Sequence, residues 1–114
     1  LFWMRDTIHA LHLATHSYAA HMALGELYAS FAESIDKLIE AMQGYAGLFS
    51  NITAREPPEL INTQDMTSAV IAKLYGWLSF EGRTLLPNES AIVNIYDELI
   101  GDVLIAKYKL DNLS

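Results

Sequence analysis

The first forty residues of the chain contain four side chains that could bind a transition metal: His9, His21, Asp36 and Glu40. Successive members are separated by 12, 15 and 4 positions. Imidazole and carboxylate groups bind iron, zinc and manganese in proteins. On one helix His21 and Asp36 would lie about 22 Å apart, because each residue adds ~1.5 Å of rise. One ion cannot contact both, so a site that uses both needs two chains or a chain that folds back.

The spacing of apolar residues predicts one unbroken helix over residues 18–43, which favours the two-chain arrangement. One strip of this helix begins with an imidazole, continues through small residues and ends in two carboxylates. Its members are His21, Gly25, Ala29, Ala32, Asp36 and Glu40. Pairing of two copies, antiparallel about a two-fold axis near Ala29, would place His21 of one chain beside Asp36 and Glu40 of the other. This predicts two equivalent metal sites per dimer, each of which His9 could complete.

The apolar pattern predicts four amphipathic helices within a single domain that spans residues 1–114. They cover residues 2–14, 18–43 and 64–80, and a fourth follows an N-cap at Asn88 and runs to residue 110. Ser17 is the predicted N-cap of the second helix, which Gly44 and Gly47 end. Residues 48–62 are predicted to be an irregular connection. The result is an all-α four-helix bundle with a long crossover between helices 2 and 3.

The aromatic residues around these helices are interpreted as core residues and not as a redox path. The set consists of Trp3, Tyr18, Tyr28, Phe31 and Trp77.

Composition excludes several classes of function. Because 52% of the residues are hydrophobic and 18% are charged, the chain can build a core and is not a disordered polymer. A net charge of −7 with no cluster of Lys and Arg argues against a direct nucleic-acid partner, and suits attraction of metal cations. With no cysteine, disulfides and thiolate zinc sites are excluded. No signal sequence or membrane-length apolar run is seen, so we expect no membrane partner and a cytoplasmic location.

The segment from His9 to Glu40 resembles the Dps-type mini-ferritins. The family pattern is His, 11 residues, His, 14 residues, Asp, three residues and Glu, and this chain reproduces it without a gap. Glu26, Leu27, Tyr28 and Glu33 also resemble residues common at the matching places. The segment HLATHSYAAHMALGELY is also similar to small phage-encoded proteins of the ferritin-like class. This similarity implies a virion-associated location as the alternative to a cytoplasmic one.

This resemblance implies a ferritin-like bundle and a ferroxidase centre at a two-fold interface. Iron would be bound as Fe²⁺ and oxidised to Fe³⁺ by peroxide or oxygen, and other divalent transition metals are further candidates. The implied ligands are His21, Asp36 and Glu40 with either His9 or His12, since a gapped alignment makes His12 the first ligand. A homodimer is the minimum assembly, and the family's larger assembly is a dodecamer.

The chain departs from the family at three places. Ala10 stands where a Trp usually follows the first His, and Gly25 stands where an acid usually follows the second His by one turn. Thr15, His16 and Ser17 replace a Gly-containing loop. These departures motivate an alternative function, a non-enzymatic ferritin-like assembly or virion-associated protein that has lost metal chemistry.

Overall fold

The computed structural model describes residues 1–47 and 67–113. These residues form four α-helices and one short 3-10 helix. The α-helices are α1 (Phe2–Ala14), α2 (Tyr18–Ala46), α3 (Thr67–Ser79) and α4 (Ser90–Asn112), and the 3-10 helix spans Gly82–Leu85. No strand occurs in the two described ranges, so the all-helical class is confirmed for them. The predicted connection at 48–62 and the predicted start of helix 3 at 64–66 lie outside the described residues.

Most helix boundaries fall where the sequence predicts them, and each has a local cause. Ser17 caps α2 as predicted, because its Oγ accepts a hydrogen bond of 3.2 Å from the backbone N–H of Ala20. Helix α2 continues past Gly44 and ends at Gly47, which has a positive φ of 94°. The predicted N-cap at Asn88 is wrong: Glu89 caps α4, and its carboxylate accepts from the N–H of Ala91.

The core is formed by the apolar stripes that helical periodicity predicts. Buried side chains recur every three to four residues on α2: Leu24, Leu27, Phe31, Ile35 and Leu38. Tyr18 does not belong to this core, because it occupies the first turn of α2 on the outward face and is 77% exposed. No described helix is both long and apolar enough to cross a membrane.

Each helix of the bundle packs against two neighbours. Helix α2 packs against α1 and α4, and α4 packs against α3. The ring of neighbours is closed by an edge-to-face contact between Trp3 of α1 and Trp77 of α3, with centroids 5.4 Å apart. An ion pair of 2.7 Å joins Glu26 near the start of α2 to Lys109 near the end of α4, which shows that these two helices are antiparallel.

The helix ends define the topology of the bundle. Thr15, Ser17, Thr67 and Asp111 line one pocket, so α1 and α4 end where α2 and α3 begin. Leu1, Met42, Trp77 and Tyr96 line another pocket at the opposite end of the bundle. Helix α2 therefore ends at one end of the bundle, and α3 begins at the other.

Tyr96 connects α4 to the end of α3 and provides a test of the packing at this end. Its phenol donates a hydrogen bond of 2.6 Å to the carbonyl of Leu78. Burial raises the pKa of this phenol from 10.0 to about 12, and the nearby positive charge of Arg83 offsets part of that rise. Because the folded state holds this proton more tightly than the unfolded state, stability should fall as the pH rises from 10 to 12. Tyr96→Phe should show a shallower alkaline loss of stability than wild type in urea titrations across this range.

The comparison isolates Tyr96 because the other five tyrosines are unchanged in the variant. An equal alkaline slope in both proteins would contradict the burial of the Tyr96 phenol.

Candidate metal centre

Four aromatic rings stack in a row where α1 meets α2. Tyr28 stacks on His9 with centroids 4.3 Å apart, His9 lies 6.5 Å from His12, and His12 stacks on His21 at 3.9 Å. The three interplanar angles are 16°, 18° and 22°, so the rings are nearly parallel. We call these four residues the ring row. It brings together the three histidines for which the sequence predicts metal ligation.

His12 and His21 hold each other through reciprocal hydrogen bonds. The Nδ1 of His12 lies 2.8 Å from the carbonyl oxygen of His21. The Nδ1 of His21 lies 3.0 Å from the carbonyl oxygen of His12. A carbonyl can only accept, so each Nδ1 must carry the hydrogen and donate it. In the neutral imidazole the lone pair is then on Nε2. Metal-bound histidines usually have this pattern, in which the second ring nitrogen donates to a carbonyl or carboxylate.

Helix termini explain why this pair can form. His12 lies in the last turn of α1, where the backbone carbonyls lack a helical N–H partner. Ser17 caps α2 a few residues later, which places His21 in the first turn of α2 beside the end of α1. The ring of His21 therefore satisfies an otherwise free carbonyl of α1. The second bond, from His12 to α2, fixes the orientation of both rings.

Gly25 provides the space that the ring of His12 occupies. A Cβ at this position would lie 2.8 Å from Cε1 and 3.2 Å from Nδ1 of His12. Gly25 thus has a role within one chain. It admits the imidazole of α1, and so it is not a free contact point for the backbone of a second copy.

The fit between Gly25 and His12 can be tested with a matched pair of glycine substitutions. Gly101→Ala should stabilise the protein by about 1 kcal/mol, because alanine is the better helix former and a Cβ there meets nothing within 4 Å. Gly25→Ala should fail to stabilise it, because the overpacking cost of about 1–3 kcal/mol offsets the same gain. Urea denaturation of both variants measures the difference.

A double variant tests whether the ring of His12 causes this difference. If the ring of His12 is responsible, then Gly25→Ala should become stabilising in a His12→Ala background. A Gly25→Ala variant that is as stable as Gly101→Ala in the wild-type background would contradict the contact.

Asp36 and Glu40 lie on the same helix as His21 but several turns away from it. Both are exposed, one turn apart, and neither forms an ion pair or hydrogen bond with a described residue. About 22 Å of helix separates Asp36 from His21 at ~1.5 Å per residue. Among the described residues of one chain, no group of three or more His, Cys, Asp or Glu could hold a metal ion. Within one chain the histidines and the two carboxylates are therefore two separate groups.

Two small residues of the predicted strip, Ala29 and Ala32, lie outside the core. Ala29 is exposed and Ala32 is half-buried, and both lie beside the core stripe of α2 and not within it.

The ring row also contains a residue that sequence reasoning assigned to the core. Tyr28 is half-buried and packs against the core, but one face of its ring covers His9. Its position seven residues after His21 was the available signal, because a spacing of two helical turns places both side chains on one face of α2.

Comparison with known families gives one match. The model of a family of unknown function, DUF5856, matches residues 12–110. These residues include His12, His21, Asp36 and Glu40, whereas His9 precedes them. A search of curated proteins found no match, and a search of solved structures found none either. Since the match covers most of the sequence, the chain belongs to the family of unknown function DUF5856.

Proposed function

We propose that this protein is a Dps-like iron-binding protein that oxidises Fe²⁺ at a site shared across a two-fold dimer. The observation that carries the proposal is the reciprocal bonding of His12 and His21. It directs the Nδ1 hydrogen of each ring into the protein and leaves each Nε2 with a lone pair for a metal.

The same observation favours His12 over His9 as the first ligand. His9 stacks on Tyr28, and it forms no hydrogen bond with a described residue that would select its tautomer. His12 has such a bond. We therefore propose His12 and His21 as one half of the metal site, which we call the imidazole half-site. His9 is their neighbour in the ring row.

Asp36 and Glu40 are the other half of the proposed site, the carboxylate half-site, and the two half-sites complement each other in a dimer. Antiparallel pairing of two α2 helices about Ala29 brings the imidazoles of one chain to the carboxylates of the other, and it does so twice because a two-fold contact is self-complementary. Asp36 and Glu40 are exposed and unpaired among the described residues, so such pairing breaks no existing ion pair. Two imidazoles and two carboxylates complete a four-ligand site.

The helix arrangement supports a ferritin-like bundle. Its neighbours are α1 with α2, α2 with α4 and α4 with α3, and Trp3 and Trp77 close the ring. Helix α2 ends at the end of the bundle opposite to the start of α3, as a long crossover between these helices requires.

The donor set suits Fe²⁺ as the substrate. Mixed nitrogen and oxygen ligation is compatible with iron and leaves positions for water and an oxidant. Carboxylates stabilise the more highly charged Fe³⁺, which lowers the free energy of oxidation. The chain contributes geometry and negative charge, and hydrogen peroxide or oxygen accepts the electrons.

Anaerobic titration with Fe²⁺, followed by addition of peroxide or oxygen, tests this function. We expect saturable binding and formation of Fe³⁺ in wild type, and strong loss of both in Asp36→Ala and Glu40→Ala. Glu98→Ala is a matched control, since Glu98 is an exposed helical carboxylate on α4. Absence of iron oxidation in wild type, or equal oxidation by all three variants, would refute the proposal.

A second candidate is a non-enzymatic assembly or virion-associated protein with the same scaffold. Large hydrophobic side chains on the outer faces of α2 and α4 favour it, because such residues often mark protein contacts. They are Tyr18, Met22, Leu104, Ile105 and Tyr108, which are between 43% and 77% exposed. A purified protein that assembles normally and binds no metal would support this candidate.

A further inference from the structure

A small cavity lies at the end of the bundle where α2 ends. Its volume is about 130 Å³. Its walls come from α2, α3, α4 and the segment around the 3-10 helix, and they include Leu38, Met42, Trp77, Leu85, Leu86 and Tyr96. We call this space the end cavity. None of its lining residues belongs to the ring row or to the Asp36 and Glu40 pair, so it is a separate feature of the chain.

The end cavity does not suit water. A buried water typically makes about three hydrogen bonds to polar groups around it. Tyr96 is the lining residue that carries a hydroxyl group, and its O–H already donates to the carbonyl of Leu78 at 2.6 Å. The surface that the walls turn towards the cavity is apolar. An apolar molecule therefore gains dispersion contacts there, whereas water would lose hydrogen bonds.

The volume of the end cavity limits the size of its ligand. Sites for drug-sized molecules have volumes of roughly 300–1,000 Å³, whereas an apolar cavity of about 150 Å³ binds benzene. The end cavity is close to the second value. The rings of Trp77 and Tyr96 in its walls favour an aromatic ligand, because aromatic rings attract one another beyond the effect of the area they bury.

Leu85 connects the end cavity to the outer surface. It lines the cavity and also a wider depression that contains Phe80 and Thr84. Leu85 is 68% exposed and Phe80 is 75% exposed, so the approach from solvent is apolar as well. Exposed apolar patches often mark binding grooves. A ligand can thus reach the cavity past a side chain that the core does not hold.

Two other pockets of the described chain are less suited to such a ligand. One contains the ion pair between Glu26 and Lys109. The other is lined by the hydroxyl groups of Thr15 and Ser17 and by the carboxylate of Asp111. An apolar molecule in either pocket would displace water from polar groups and give them no new partner.

We propose that the end cavity binds a small uncharged aromatic molecule of about the size of one benzene ring. The proposal goes beyond iron oxidation and does not depend on it, because the two sites share no residue.

Thermal unfolding in the presence of benzene tests the proposal. A ligand that binds only the folded state raises the melting temperature, and the rise grows with ligand concentration. Wild type should show such a rise with benzene. Phenol at the same concentration should give a much smaller rise, because the apolar walls offer its hydroxyl group no free partner.

A tryptophan in the wall should block the site. Leu86 is half-buried and lines the cavity, so the larger ring of Leu86→Trp should fill the space and make the melting temperature independent of benzene. Leu104→Trp is the matched control, because Leu104 is an exposed leucine that does not line the cavity. It should respond to benzene as wild type does. Circular dichroism shows whether each variant folds.

The fluorescence of Trp77 provides a second measurement, which decides the matter if Leu86→Trp does not fold. The chain contains two tryptophans, so Trp3→Phe leaves Trp77 as the only one. Benzene should change the emission of Trp77 in this variant. An unchanged emission, no rise in the melting temperature of wild type, or an equal rise in a folded Leu86→Trp would refute the site. A rise with phenol as large as that with benzene would refute the apolar class of ligand.

Discussion

Replacing either His12 or His21 with asparagine should remove most of the Fe²⁺ affinity, whereas His9→Asn should retain it. The amide nitrogen of asparagine can take the place of Nδ1 and keep donating to the carbonyl across the α1–α2 contact, but asparagine has no counterpart of Nε2. The variant therefore removes a metal ligand and preserves the backbone contact. We expect a loss at least as large as the roughly 10–100-fold that removal of an outer-shell partner costs.

Isothermal titration with Fe²⁺ under anaerobic conditions measures this difference. Circular dichroism of each variant serves as the control for folding. If His9→Asn weakens binding and His12→Asn does not, then the assignment of His12 as the first ligand is wrong, and the ungapped Dps spacing describes the site.

The hydrophobic pattern was sufficient to predict the helices, because burial of one helical face is a property of each helix alone. The first helix, predicted at about residues 2–14, spans Phe2–Ala14, and the type and position of Ser17 predict its role as the cap of α2. The N-cap of α4 was predicted one residue too early, because Asn is a preferred capping residue. In the structure Glu89 has the extended conformation of a cap, and its carboxylate accepts from the N–H of Ala91.

The candidate site was predictable in its members and not in its geometry. Spacing identified His21 as a candidate, and a gapped alignment with the Dps-type mini-ferritins added His12, but their reciprocal bonds depend on how α1 is rotated against α2. The same rotation determines that Gly25 receives a ring from its own chain. No periodicity within a single helix encodes the relative rotation of two helices, which is why the role of Gly25 was missed.

The position of Gly25 narrows the surface on which a dimer could form. With the ring of His12 over Gly25, close approach of a second α2 is left to the neighbourhood of Ala29 and Ala32. Ala29 is exposed in the single chain, so a larger side chain there should fold without strain within that chain. Any effect of such a side chain on assembly therefore reports on the contact between copies.

Ala29→Phe should convert a dimer of this protein into monomers. A phenylalanine at the two-fold axis overpacks the contact at a cost of about 1–3 kcal/mol, and the change is present in both copies. Ala72→Phe is the matched control, because Ala72 is an exposed alanine within α3. Sedimentation velocity at micromolar concentration should show a dimer for wild type and Ala72→Phe, and a monomer for Ala29→Phe. Because the proposed site brings Asp36 and Glu40 to the imidazoles only across this contact, the monomeric variant should also lose iron oxidation. A monomeric wild type would refute the dimer, and with it any metal site shared between chains.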